Sequence, residues 1–429
     1  MALPLTLAVP LGMMHAYVVA EAGIALVGVA FLARSALRGE WTWARTPWVR
    51  IAALWWGWLA LCSLPGIGYG GVPSFVQAVL VLRYLVFAAA LEHWVLVSPG
   101  ARLWLQRVIA VCVAWIAAHA LFQAAAGRSL FGAPRWFNGE LTGPFDKPRA
   151  GAPLSRMLLP AMLPAVAALL RRRSPAATLG AAALTTGGLA VVVLIGQRMP
   201  LLLTVLGLAV CALFLRRLRA VALAAVIAGG VLLAASAVVS PPTFNRLVTR
   251  FSAQMENFST SPYGQIAGRA AEMVRQHPWV GRGYNGFRTG CDGPRYLNGW
   301  LWPAGLDAEG CNLHPHNHYL QAATDAGLPG LALFSLLVLA WLAALMRGLW
   351  QTPDPLRVSL FAAALIAQWP LASTSSMFAI EIGGLFFVLL GLGLAAARHR
   401  QACITGPRPR PSPSRGPSPP APSAPAPRR

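Results

Sequence analysis

Long apolar runs punctuate this chain, and they decide what it can fold into before any motif is read. Segments at about 2–33, 49–64, 75–97, 103–126, 152–170, 176–196, 199–215, 220–240, 319–346, 356–371 and 376–397 are separated by short breaks that carry arginine. Helices of roughly 16 to 25 residues, rising about 1.5 Å per residue, have the reach to cross about 30 Å of hydrocarbon. Hydrophobic residues fill 56% of the 429 positions and charged residues only 11%, a balance that a soluble domain does not show. The chain therefore reads as an all-α polytopic membrane protein. Its first run, residues 2–33, would extend about 48 Å as one helix, too long for a single untilted crossing. Pro10, His15 and Glu21 offer a break there, so a hairpin is expected and the count rises from 11 transmembrane helices to 12. The N-terminus has neither a basic n-region nor a cleavage site, so the first segment is expected to stay in the membrane.

The net charge of +22 comes almost entirely from arginine, with Lys147 the single lysine. These charges sit beside helix ends rather than in one patch, which speaks against a nucleic-acid partner. They suit contact with membrane lipids and bidentate recognition of phosphate, and a base-composition bias explains them equally well. The short loops "ARSALRGEWTWARTPWVR", "RRRSP" and "RRLR", the break around Arg347 and Arg357, and "ARHRQ" fall on one side, which the positive-inside rule makes cytoplasmic. Alternation then sends "PGIGYGGVPS", the loop 127–150, the turn "GQRMP" and the segment 241–318 to the opposite side. Four regions follow: an N-terminal helix bundle (1–240), one large extracytoplasmic loop subdomain (241–318), C-terminal transmembrane helices (319–400) and a disordered Pro/Arg-rich cytoplasmic tail (401–429). Within the loop an amphipathic helix is expected around 266–277, ended by Pro278. Of six cysteines, Cys62, Cys112, Cys211 and Cys403 lie in helices or on the cytoplasmic side and are expected to be free. Cys291 and Cys311 share the loop where oxidation is favoured, so a disulfide between them is expected.

Ionisable groups inside a membrane are costly, which makes each one a functional candidate. Arg83 in "VQAVLVLRYLVFAAALEHWVL" is either substrate-facing or paired with Glu92 or Glu21. Arg156 lies near the outer end of "APLSRMLLP", Arg198 in the turn "IGQRMP", and His119 and Glu381 complete the set. Arg198 is held close to the membrane surface, where it could take a phosphate-bearing head group or merely snorkel to lipid. The stretch "HPHNHYLQAATDAGLPG", residues 314–330, admits three readings. A metal site would draw on Asp307 and Glu309, but the histidines only alternate and Pro315 stiffens them. A structural role at a helix start is the second reading. The third is a general base, since an imidazole beside Arg198 or Arg269 stays neutral at pH 7. The glycines of "GRGYNG" could cradle phosphate, yet no strand precedes them, so a dinucleotide site is a weak reading.

Three of these features together resemble the O-antigen ligases and the related O-antigen polymerases of Gram-negative inner membranes. His316 and Asn317 are followed by nine residues, "HYLQAATDA", and then by Gly327 and Gly330 at the family's spacing. Arg198 follows a helix turn, and Gly268-Arg269 precedes the His-Pro-x-x-Gly of "HPWVG". Sequence-specific similarity covers about 190–330, and similarity of organisation about 1–400. Gln197 stands before Arg198 where many relatives carry serine, and His314 and His318 flank the motif histidine.

The resemblance implies a GT-C-like glycosyltransferase without a cofactor or metal, its active site on the periplasmic side. The donor would be an O-antigen linked to undecaprenyl pyrophosphate and the acceptor the lipid A core of lipopolysaccharide. It casts His316 as the base, with Arg198 and Arg269 on the pyrophosphate, and it matches Glu381 to an acidic residue that ligases carry in the last helix. Arg83, Arg156, His314 and Asn317 are expected to contact substrate, and "GLPG" to permit close packing. An O-antigen polymerase or a protein-targeting oligosaccharyltransferase of the same superfamily would share this apparatus. A lipid-linked sugar transporter would explain the arginines but not the His316 motif.

Overall fold

A computed structural model of the protein describes residues 2–297, 299, 311, 314–372 and 374–405. Asp307, Glu309 and the tail beyond 405 lie outside the described residues. The regular structure is helical, with no strand among the described residues. The helices in chain order are α1 (Ala2–His15), α2 (Tyr17–Arg38), α3 (Pro47–Cys62), α4 (Gly71–Leu80), α5 (Leu82–Ala90), α6 (Pro99–Ala126), α7 (Gly151–Arg171) and α8 (Pro175–Ile195). They continue with α9 (Arg198–Phe214), α10 (Arg219–Val239), α11 (Pro241–Phe244), α12 (Arg250–Glu256), α13 (Pro262–Gln276), α14 (His318–Met346), α15 (Pro355–Ala367) and α16 (Ile380–Thr405).

Among the described residues, 8 helical spans are long and apolar enough to cross a membrane. Ala2–His15, Arg198–Phe214 and Pro355–Ala367 are shorter apolar helices. The chain is thus an all-helical, multi-pass membrane protein. Its first apolar run is a hairpin, and the break falls at Ala16 while Pro10 stays inside α1. The two arms run antiparallel at close range: a Cβ on Gly12 would meet Ala20 N at 3.0 Å, and one on Gly23 would meet Val9 Cγ2 at 2.9 Å. The run 75–97 falls in one span, Gly71–Val95, made of α4, α5 and a π-helical turn over Leu91–Val95.

Helix starts follow a simple local chemistry. Ser98, Ser174, Ser261 and Asp354 each precede a proline and accept from the backbone N–H three residues on, so the side chain serves one orphan donor while proline, which has none, opens the helix. Packing then sorts the helices: α16 is the most enclosed of the membrane-length spans and the one containing α10 the least.

Between α10 and α14 the chain builds a small separate core from Ile266, Ala270, Met273, Phe287, Cys291 and Tyr296. The helix expected at 266–277 is α13, which starts earlier and ends before Pro278. The following loop docks on α14, with Arg282 N donating to Thr324 O (2.8 Å), Gly283 N to Asp325 O (2.9 Å) and Leu328 N to Pro278 O (2.7 Å). This docking explains the glycines of the His316 motif. α14 breaks at Ala326 and Gly327, where Gly327 takes φ +68° and a Cβ would sit 2.4 Å from Trp279 O. The "GRGYNG" glycines likewise serve packing: a Cβ on Gly281 would lie 2.6 Å from Ala326 N.

Candidate functional site

A cavity of about 1460 Å³ opens between the ends of α7, α9, α14 and α16 and the segment 241–263, and its walls differ in kind. His314, His316 and Asn317 form one wall, backed by Thr374, Ser375 and Ser376. His316 adopts φ +53°, a left-handed conformation uncommon outside glycine, and its carbonyl accepts from Thr374 N at 2.7 Å. Asn317 is the N-cap of α14: its Oδ1 accepts from Tyr319 N (2.9 Å) and Leu320 N (3.1 Å), and its Nδ2 donates to Pro370 O (2.6 Å). That amide was expected to contact substrate, yet both its ends are engaged in holding the wall. His318 points away from the cavity, with Nδ1 3.1 Å from Gln368 Oε1 and Nε2 3.1 Å from Ser375 O. Tyr319 Oη donates to Gln368 O (2.9 Å) and Gln321 Nε2 to Ser376 Oγ (3.0 Å), so the start of α14 is stitched to residues 368–376.

The two cavity histidines differ electrostatically. Burial pushes the His316 imidazole below its ordinary value, opposed by hydrogen bonding at the Thr374 backbone. Burial, reinforced by His316, takes His314 down to about 4. Both are neutral at pH 7, their rings 4.6 Å apart, and His314 Nε2 is buried with no partner among the described residues.

The facing wall carries guanidinium groups. Arg198 opens α9, donating from Nε to Arg246 O (2.7 Å) and from Nη1 to Gln254 Oε1, with the Phe251 ring beneath it. Arg246 pairs with Glu140 at 2.6 Å and donates from Nε to Gly196 O (3.2 Å). Burial raises the Glu140 carboxyl, while Arg246, Asn138 and Gln197 pull it down. Arg156 is buried beside the histidine wall, with Nη2 on Thr374 Oγ1 (3.1 Å) and Nη1 without a partner among the described residues. Neither Arg198 nor Arg156 has a carboxylate partner among the described residues.

Two other expected arginines stand differently. Arg83 lines the cavity but is held by Glu21 through Nε (2.9 Å) and Nη2 (3.0 Å), which decides its pairing in favour of Glu21 over Glu92. Arg269 does not line the cavity: it is fully buried, with Nη1 3.0 Å from Cys311 Sγ of a Cys291–Cys311 disulfide. Glu381 lines the cavity in a 3.0 Å pair with Arg149, and His119 is buried against Trp115, away from it. Among the described residues no three His, Cys, Asp or Glu side chains gather as metal ligands would.

Sequence reasoning missed Arg246, Glu140, Gln254 and Thr374. Arg246 and Arg250 were within reach, since a spacing of four places two cations on one helical face. Glu140 and Thr374 had no local signal.

Residues 180–335 match a family model described as O-antigen ligase. That stretch holds Arg198, Arg246, Arg269 and the His316 motif, so the resemblance read from those residues is borne out there. No curated protein matches the chain.

Proposed function

Starting from an O-antigen ligase match that takes in both the arginine corner and the histidine segment, we propose that the chain transfers a glycan from undecaprenyl pyrophosphate to a hydroxyl of the lipid A core. One observation carries this reading: a single cavity has a neutral histidine on one wall and, on the other, Arg198, which has no carboxylate partner among the described residues. The cavity mouth faces the periplasm of a Gram-negative inner membrane, with the arginine-rich short loops cytoplasmic and 11 to 12 crossings in all.

Pyrophosphate is a good leaving group once its charge is met. Arg198, with Arg246 and Arg156 nearby, meets it by charge-assisted hydrogen bonds that strengthen as the leaving oxygen gains charge, so the site asks for no metal. The acceptor oxygen attacks the anomeric carbon and its proton passes to His316. The bond from that carbon to the phosphate oxygen breaks, and its electron pair leaves with undecaprenyl pyrophosphate. Attack opposite the leaving group inverts the anomeric centre. His316 is assigned the base because it is the histidine of the motif and lines the cavity, while burial takes its neighbour His314 down to about 4. Arg269, enclosed behind the disulfide, is assigned a positioning role for the loop that precedes the histidines.

The test gives purified full-length protein a lipid-linked glycan donor with either lipid A core or a second donor as acceptor, and identifies the product by mass. Enlarged lipopolysaccharide is expected. A lengthened lipid-linked chain instead would make the enzyme a polymerase, and activity lost on exhaustive chelation would overturn the metal-free mechanism.

A further inference from the structure

A carboxylate stands in the corner where the donor's phosphates would lie. Glu140 lines the same cavity as Arg198, Arg246 and Arg250, is only 4% exposed, and sits 2.6 Å from Arg246. Its backbone is pinned on both sides: Glu140 O accepts from Trp136 N (2.9 Å), Glu140 N donates to Asn138 Oδ1 (3.3 Å), and Leu141 N donates to Ile195 O (3.1 Å), just ahead of the turn that carries Arg198. The main chain that carries the carboxylate is therefore held beside the arginines. Fold stability gives little reason for it to be there, because a buried ion pair is commonly no better than well-packed apolar residues.

Resting on the reading proposed above, we infer that Glu140 sets the charge this corner accepts, favouring a pyrophosphate diester, the donor, over a pyrophosphate monoester, the product. Glu140 sets one negative charge among the guanidinium groups of Arg198, Arg246 and Arg250. A diester carries one ionised oxygen on each phosphorus, two in all. When the glycan departs, the oxygen that bridged to it stays on the terminal phosphate as a second ionisable oxygen with a pKa of about 6, so the product carries close to one more negative charge at neutral pH. Glu140 repels that additional charge. Its fixed position makes it a specificity-determining residue that helps the product leave and that a structural ion pair alone would not require.

The experiment uses full-length protein in lipid nanodiscs and titrates two probes at about pH 7.5: farnesyl pyrophosphate, a monoester, and a farnesyl pyrophosphoryl sugar, a diester. Wild type should bind the diester more tightly. Glu140→Gln, which keeps the shape and removes the charge, should bind the monoester about tenfold more tightly and the diester more tightly by a smaller factor, the scale expected of one like charge at a partly hydrated site. Turnover in this variant should show stronger product inhibition, and Glu140→Asp should restore the preference. Unchanged selectivity in Glu140→Gln, or parallel weakening of both probes, overturns the inference. Should Glu140→Gln not fold, wild type decides, and a wild type without preference for the diester overturns it too. Failure of wild type to bind either probe removes the pyrophosphate reading itself and this inference with it, whereas binding with unchanged selectivity removes only the role of Glu140.

Discussion

The two walls of the cavity are held by different means. The histidine wall is fixed at its own main chain and by the helix behind it: the cap at Asn317, the Thr374 N–H on the His316 carbonyl, and the stitches from His318, Tyr319 and Gln321 to Gln368, Ser375 and Ser376. In the arginine wall it is the guanidinium groups themselves that are held, Arg198 on Gln254 and the Arg246 carbonyl, Arg246 on Glu140 and the Gly196 carbonyl. In the proposed transfer, a base held at its own backbone keeps its place, while guanidinium groups held through their ends can exchange those partners for a lipid-linked anion. Rigid support where geometry decides the rate, and replaceable support where a ligand enters and leaves, is what such a reaction demands.

The sharpest way to break this contrast is His316→Ala. It should lose transfer by about 10²- to 10⁴-fold while keeping its affinity for the donor, read by single-turnover kinetics beside a binding titration. Retained activity would move the base elsewhere on the wall. Arg198→Ala should instead weaken donor binding and turnover together, by about 10- to 100-fold, because a charge-assisted pair is lost in both ground and transition states. Arg269→Ala separates the cavity from its support: its burial against the disulfide predicts a lower melting temperature and slower turnover, with the donor Kd nearly unchanged. A donor Kd that rises as far as in Arg198→Ala would return Arg269 to the phosphate. A smaller effect is expected of Asn317→Ala, which removes the cap of α14 and should cost about 1 kcal/mol, with Asn317→Asp recovering most of it. Recovery of stability without recovery of rate would show that the Nδ2 contact to Pro370, which aspartate lacks, is what places His316.

The apolar runs were legible because each helix had to satisfy its own backbone in lipid, a demand written locally in composition and length. The disulfide partners and the glycine spacing could be read for similar reasons, though why Gly327 must be glycine emerged only with the Trp279 carbonyl set against it. What escaped was pairing across the chain. The run 356–371 gave no sign that α15 stops at Ala367, because Gln368, Ser375 and Ser376 lie beyond the helix and meet α14, and the meeting partners are far apart in sequence. Arg83 offered two carboxylates, and only the packing of α2 against α5 chose Glu21. Arg269 looked equivalent to Arg198 in a motif, but one opens a helix at the cavity and the other is enclosed beside sulfur.

The finest test of the histidine wall is its response to acid. His316 and His314 both have folded-state values below the ordinary 6.5, so as pH falls the unfolded chain takes up protons first. The stability these neutral imidazoles preserve is therefore complete above about pH 6.5 and declines as acid approaches their folded values, which for His314 is about 4. Transfer follows a different limb, since it needs only His316 neutral: the rate should hold from neutrality to below pH 6.5 and then fall as His316 protonates. His314→Gln should thus flatten the decline in melting temperature between about pH 6.5 and 4 without moving the acid limb of kcat/KM. A limb that shifts in that variant would mean that the two rings share one proton, and the wall would then act as a coupled pair rather than as a base with a silent neighbour.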